Sequence, residues 1–304
     1  MHVLVTGGAG FIGSHSVDRL LESGARVRVL DNFSSGRREN LKPHPLLEIM
    51  EGDIRDRATV DAAVTGISHV LHLAAQVSVA ASMEQPLASS DVNVGGFLNV
   101  LDAARHHRVR RMVYASSAAV YGVPARLPLH EEDPPLPLSP YGLEKSINDQ
   151  YAALYREIYG QSSLGMRYFN VFGPRQDPSS PYSGVISLFV RRLREGLPLS
   201  VHGDGLQTRD FIFVGDVAAA NVLALHADMG GVCNVATGHT VTLLQMIADL
   251  GAAARLTPEI HLGAPRAGDI RHSSADNRRL RSQLGLDQFT SLKDGLAQLW
   301  ASGG

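Results

Sequence analysis

The chain has 304 residues, 44% of them hydrophobic and 19% charged, with a net charge of -2 and a pI near 6.7. That is enough length for a full core in one large domain or two unequal ones, and the balanced charge excludes a basic surface for nucleic acid or anionic membrane. The single cysteine, Cys233, excludes an intramolecular disulfide framework, and with no leader pattern and no apolar run of about 18 residues the expectation is a cytoplasmic protein.

Residues 2–6 (HVLVT) read as a short buried strand, β-branched and stopped by glycine. GGAGFIG at 7–13 follows, then an amphipathic run to Ser23 with Gly24 as a helix stop, and RVRVLD at 26–31 is a second strand. A strand, a glycine turn, a helix and a strand ending in an acid make a dinucleotide-binding unit. Gly7, Gly10 and Gly13 permit the tight turn and close helix packing, and the helix N-terminus offers its free N–H groups to a pyrophosphate. Asp31 lies 18 residues beyond Gly13 and can accept hydrogen bonds from ribose hydroxyls, or serve as a helix cap. A carboxylate there repels a 2′-phosphate, and the next arginines come only at Arg37 and Arg38, so NAD is expected rather than NADP.

The alternation continues. Residues 46–50 form strand three, and GDIRD puts Asp53 where an adenine amino group is read. Residues 68–76 are strand four and its exit, where the small Ala74 and Ala75 let the backbone approach a cofactor. Residues 86–107 read as one long helix containing Asn93, which is either a buried polar contact at the site or a satisfied core amide. Strand five, 110–117, ends in Ser116 and Ser117; Ser139-Pro140 opens a helix over 140–159; residues 162–170 are strand six. Such alternation predicts an α/β fold with a doubly wound parallel sheet, its ligands at the carboxyl ends of the strands.

Beyond residue 171 the texture changes. A proline- and glycine-rich loop at 173–184 precedes a helix at 185–195, a hairpin-like turn at 201–205, and a short strand and helix over 208–225. A strand and turn at 232–238, a helix at 242–253 capped by Thr242, and a loop at 264–276 complete the pattern. The expected division is a dinucleotide-binding domain of residues 1–171, joined again by 211–236, and a smaller interleaved lobe of 172–210 and 237–304.

The stretch at 114–145 carries the chemistry. Tyr141 and Lys145 are i and i+4 on one helix face, and a lysine ammonium beside a phenol favours the phenolate. Ser117 on the neighbouring strand can bond the same substrate oxygen, which makes a proton-transfer device without a metal. A lone Tyr-x-x-x-Lys is usually no more than an exposed helix face, so its surroundings decide.

Taken in order, TGGAGFIGSH, DNFSSG, GDIRD, HLAAQ, YASSAAVYG, SPYGLEK, RYFNVFGPRQDP, GDGLQTRDFIFVGDVA and RAGDIRHSSAD resemble the extended short-chain dehydrogenase/reductases, and among them the UDP-hexose 4-epimerases, over essentially the whole chain. The resemblance implies tightly held NAD and reversible oxidation at sugar C4 through a 4-keto intermediate. Tyr141 would take the 4-hydroxyl proton, Lys145 would lower its pKa and hold the nicotinamide ribose, and Ser117 would bridge substrate and Tyr141. The cofactor site so implied comprises Gly7, Gly10, Phe11, Ile12, Gly13, Asp31, Asn32, Ser35, Gly36, Asp53, Ile54, Leu73, Ala74, Ala75, Gln76, Asn93, Ser116 and Tyr168, with Tyr141 and Lys145. For the substrate it implies Ser117, Asn170, Val185, Arg209, Arg266, Asp269 and Ser273, the two arginines on the pyrophosphate and Asp269 on the uridine ribose. No metal is expected. A homodimer through the helices at 86–107 and 140–159 is implied as well.

The departures narrow the chemistry. Dehydratases of this scaffold carry an Asp-Glu pair after the serine and decarboxylases a glutamate; here the residues are Ala118 and Ala119, and Cys233 lies in a predicted strand. Ser273 stands where epimerases confined to UDP-glucose and UDP-galactose have a tyrosine, so UDP-GlcNAc and UDP-GalNAc are expected as substrates. Val77 replaces a lysine found near the nicotinamide in some relatives. A nucleotide-sugar 4-ketoreductase or dehydrogenase and a non-catalytic NAD or nucleotide-sugar sensor are the alternative readings; intact Ser117, Tyr141 and Lys145 speak against the sensor.

Overall fold

The computed structural model describes residues 1–177, 184–265 and 270–303. In chain order, β1 (His2–Thr6), α1 (Phe11–Glu22), β2 (Arg26–Asp31), β3 (Leu47–Glu51), α2 (Arg57–Val64) and β4 (His69–His72) open the fold. Helices α3 (Val79–Glu84) and α4 (Pro86–Ser90) lead through a π-helical segment, Asp91–Gly96, into α5 (Phe97–His106) and β5 (Arg111–Ser117). Then come α6 (Pro140–Tyr159), β6 (Ser163–Tyr168), β7 (Asn170–Phe172), α7 (Val185–Arg194), β8 (Leu199–His202), β9 (Thr208–Arg209), β10 (Phe211–Phe213) and α8 (Val214–His226). The chain closes with β11 (Gly231–Val235), β12 (Val241–Thr242), α9 (Leu243–Ala254), β13 (Ile260–Gly263), α10 (Arg278–Leu284) and α11 (Leu292–Ala301). No helix among the described residues is long and apolar enough to cross a membrane.

Seven strands form one parallel sheet in the order β3-β2-β1-β4-β5-β6-β11. The order reverses between β1 and β4, and the carboxyl ends flanking such a switch point form the ligand crevice of a doubly wound α/β fold. Parallel strands covered on both faces are apolar throughout, and successive residues feed opposite cores. Thus Val3 and Val5 of β1 pack with Val17 and Leu20 of α1 and with Leu225 of α8, whereas Leu4 packs with Val60, Phe97 and Leu101 of α2 and α5. A third core joins Phe172, α7, β8, β10, α9 and α11, and underlies the smaller lobe. The expected division shifts at two places: Phe211 and Phe213 lie in this third core, while Leu280 and Leu284 of α10 pack into the first, beside β11 and α8.

Three local expectations are corrected. The helix expected over 86–107 has a π-helical turn at its centre, where Gly96 closes onto Ile54; a Cβ there would lie 2.5 Å from the Ile54 Cδ1. The turn at 201–205 does not close a hairpin, because β8 pairs in parallel with β13 and β9 in antiparallel with β12. Residues 162–170 are not one strand: the chain leaves the main sheet after Tyr168, and β7 pairs with β10 instead.

Helix α6 sets the position of the Tyr-x-x-x-Lys pair. Its Ser139 Oγ accepts from the Gly142 N–H at 3.1 Å, Pro140 occupies the first turn, and Gly160 ends the helix in the left-handed region. Gly142 lets this N-terminus close on the end of β5, since a Cβ there would lie 2.6 Å from the Ala119 carbonyl oxygen.

Candidate active site

That close approach brings Tyr141 to Ser117. Burial pushes the Tyr141 pKa above the ordinary phenol value and the Ser117 side chain acts against that shift, while Ser117 Oγ also accepts from Ala119 N at 3.1 Å. Tyr141 is fixed from behind by its own N–H, which donates to Ser82 Oγ at 3.1 Å. Lys145 Nζ stands 5.8 Å from the Tyr141 ring centroid and donates to the Ala115 carbonyl at 3.0 Å. Burial pulls its pKa down to about 8 while Asp149 and Glu144 act to raise it, so the ammonium persists at neutral pH. Beneath it the imidazole of His72, bonded to Thr6 Oγ1 at 2.8 Å, is pushed down to about 3 by burial and the Lys145 charge; it is neutral. A phenol, a hydroxyl and a cation so grouped can pass one proton back and forth.

The glycine turn between β1 and α1 meets the exit of β4. A Cβ at Gly13 would lie 2.1 Å from the Gly7 carbonyl oxygen, and one at Gly7 would lie 2.6 Å from Ala74 N, so α1, the turn and the exit of β4 touch through bare backbone. Gly10 precedes α1, whose N-terminus carries no side-chain cap, leaving the first-turn N–H groups of Phe11 and Ile12 for an anion. Asp31 is buried; its Oδ2 accepts from Ala9 N and its Oδ1 from Phe33 N, both at 2.9 Å, and its remaining lone pairs suit ribose hydroxyls. Gly36 closes over Ala9 and Asp31, and Ser35 is exposed at the rim. Arg37 pairs with Asp177 at 3.2 Å, and Arg38 pairs with Glu51 and stacks on Phe33. Leu73, Ala74, Ala75 and Gln76 line the next turn as half-buried residues, and Val77 is exposed.

On the lobe side Asn170 Nδ2 donates to the Asp210 carbonyl at 3.2 Å, and Val185 opens α7 against the third core. Arg209 Nη1 donates to the Thr208 carbonyl at 2.9 Å, while Ser273 N donates to the same carbonyl at 3.2 Å, which draws the two residues together. An open cavity of about 490 Å³ adjoins them, lined by His202, Asp204, Gln207 and Arg271. Arg266 and Asp269 lie outside the described residues.

Several of the expected cofactor residues have partners within the fold. Side chains alternate along β5, and the Ser116 hydroxyl donates inward to Asp149 Oδ2 at 3.1 Å. Tyr168 is a core residue whose hydroxyl donates to Asn221 Oδ1 at 2.7 Å. Ile54 is buried in the second core under Gly96. Asp53 is held by Arg55 at 2.8 Å and by Asn32 Nδ2 at 2.8 Å, and these partners keep its carboxyl well below the usual range. Asn93 resolves to the core amide. Its Oδ1 accepts from Gln76 N and its Nδ2 donates to Gln76 O, each at 2.9 Å, so it clamps the turn from behind.

Sequence reasoning missed the polar framework under the site. Asp149, two turns after Tyr141, accepts from Tyr114, Ser116 and Arg167, and Arg167 reaches on to Tyr121, which donates to Asn234 Oδ1 at 2.6 Å. Glu144 is buried beside Lys145. The available signal was its spacing: Glu144 is i+3 from Tyr141, on the same helix face.

Residues 3–236 match the model of the NAD dependent epimerase/dehydratase family. The chain belongs to that family. A UDP-glucose 4-epimerase of Mycolicibacterium smegmatis is 39% identical over 309 residues, covering 98% of this chain and 97% of that protein. Among solved structures, a UDP-N-acetylglucosamine 4-epimerase from Methanobrevibacter ruminantium in complex with UDP-N-acetylmuramic acid superposes with a TM-score of 0.96 at 36% identity, covering 99% of this chain and 97% of that one. A Thermus thermophilus UDP-glucose 4-epimerase in complex with NAD gives a TM-score of 0.91 at 38% identity, covering 99% and 98%. NAD is the cofactor of this family member, and the bare-backbone turn, the uncapped α1 terminus and the Asp31 carboxylate fit it.

Proposed function

We propose that this protein interconverts UDP-hexoses that differ in configuration at C4, with N-acetylated hexoses in its range and NAD retained through the cycle. The observation that carries the reading is the Lys145 Nζ 5.8 Å from the Tyr141 ring, with the Ser117 side chain acting on the same phenol and Ala118 and Ala119 next in the chain. A group that moves one proton and has no second acid or base fits oxidation and reduction at a single carbon; elimination or decarboxylation needs more. Tyr141 takes the proton of the C4 hydroxyl, Ser117 holds that oxygen, and Lys145 stabilises the phenolate. Bound NAD supplies the hydride acceptor at C4 and, once the keto sugar has turned over, the hydride donor. Tyr141 then returns the proton. Arg209 holds the pyrophosphate from the lobe side.

Room for a 2-acetamido group is read from Ser273, a small side chain on the segment tied to Thr208, and the structural neighbour whose complex holds UDP-N-acetylmuramic acid supports it. The purified protein, given UDP-GlcNAc or UDP-glucose without added cofactor, is expected to convert both to their C4 epimers, resolved by chromatography. Ser273→Tyr is expected to suppress conversion of UDP-GlcNAc while sparing UDP-glucose. Stoichiometric consumption of NADH would replace the epimerase reading with a ketoreductase; equal effects of Ser273→Tyr on both sugars would remove the size argument.

The same reading includes a homodimer. Leu143, Tyr151, Leu154 and Ile158 form an exposed apolar stripe along α6, continued by Met83 and Leu87 of α3 and α4. Sedimentation equilibrium is expected to give twice the chain mass of 32.6 kDa; a monomer at micromolar concentration would refute it.

A further inference from the structure

Glu144 is 3% exposed, and its Oε2 accepts two buried hydrogen bonds, from Ser89 Oγ at 2.8 Å and from Asn93 Nδ2 at 2.7 Å. Its other oxygen is buried with no partner among the described residues. A glutamine would accept both bonds without burying a charge, so hydrogen bonding alone does not account for the carboxylate. What the charge faces does. Tyr141 is three residues before it on the same face, and Lys145 follows it, already in contact with Ala115. Asn93 in turn grips the Gln76 peptide on both sides, at the turn that lines the cofactor crevice.

We propose that Glu144 is a positioning residue: through Asn93 it ties the helix bearing Tyr141 and Lys145 to the cofactor turn, and its negative charge keeps Lys145 an ammonium beside Tyr141. The other charged or titratable groups facing the pair include Asp149 on α6, Tyr114 on β5, which donates to Asp149, His72 on β4, Glu84 on α3 and Asp91 in the π-helical turn. Of these, His72 is neutral, Glu84 is exposed, and Asp91 is exposed and lies 3.6 Å from Arg55. Asp149 bonds Arg167 at 3.1 Å. Asp149 also acts to keep Lys145 charged, and more strongly than Glu144, but it is shared with Arg167, whereas Glu144 has no ion-pair partner among the described residues. Its field opposes proton loss from both Tyr141 and Lys145.

The test follows the charge. Tyr141 is titrated by ultraviolet difference spectroscopy in the NAD-loaded protein, with Tyr141→Phe as the blank that isolates it. Glu144→Gln is expected to move that titration to lower pH, and to move both limbs of the pH profile of kcat/KM the same way. Glu144→Asp keeps the charge and is expected to stay near the parent midpoint. Should Glu144→Gln fold poorly, Ser89→Ala with Glu144→Leu removes the charge together with a group it satisfies, and the same downward shift is expected. An unmoved midpoint in the neutral variants, or an Asp variant that titrates like the Gln variant, overturns the proposal. Its kinetic arm rests on the epimerase reading. The spectroscopic arm does not, so a shifted titration in a protein inactive on UDP-sugars would sink that reading and leave this one standing.

Discussion

Tyr141→Phe is expected to lower kcat on any accepted UDP-sugar by about 10²–10⁴-fold, the range of a positioned acid–base group. A loss of about 10³ corresponds to about 4 kcal/mol of barrier. The substitution removes one hydroxyl, the group on which the Ser117 side chain acts. What holds the residue in place remains: its N–H still donates to Ser82 Oγ at 3.1 Å, the Ser139 cap is untouched, and Lys145 keeps its bond to Ala115. Bound NAD and thermal stability are therefore expected to match the parent, which separates lost chemistry from lost structure. Turnover within a few fold of the parent would remove Tyr141 from the proton path.

Asp149→Ala is expected to lower the unfolding free energy by about 3–5 kcal/mol, the usual cost of stripping one partner from a buried ion pair. Both side chains are nearly closed to solvent, 9% exposed for Asp149 and 7% for Arg167, so screening by water gives little relief. Burial raises the Asp149 pKa, and Arg167 with the Ser116 and Tyr114 hydroxyls draws it back. Without the carboxylate, Arg167 Nε and both hydroxyls lose an acceptor at 3.1 Å. The damage has a path to the rest of the site. Arg167 also donates to Tyr121 and to the Glu131 carbonyl, and Asn234, bonded to Tyr121, holds the carbonyls of Leu129 and Asp276. Urea denaturation monitored by circular dichroism measures the effect; a loss below about 1 kcal/mol would mean that the guanidinium finds another acceptor.

Much of this was legible in the chain because local patterns carry it. The apolar runs at 2–6 and 26–31, the glycines at 7–13 and the Ser139-Pro140 start each specify backbone geometry over a few residues, and the strand–helix alternation they mark is that of a doubly wound sheet. The i, i+4 spacing of Tyr141 and Lys145 sets them on one helix face before any tertiary contact forms.

The sequence by itself determined the order of elements, the cofactor turn and the reactive pair. Only the tertiary structure decided which polar residues face the crevice and which lie under it. Ser116 and Ser117 are neighbours of one type, yet strand pleating sends one to Asp149 and the other to Tyr141. Asn93, Tyr168 and Asp149 find their partners 17, 53 and 18 residues away, across elements whose approach is set by packing. The burial of Glu144 has the same origin: Ser89 of α4 and Asn93 of the π-helical turn close over it. Periodicity reports the face of a helix; what covers that face is a property of the folded chain.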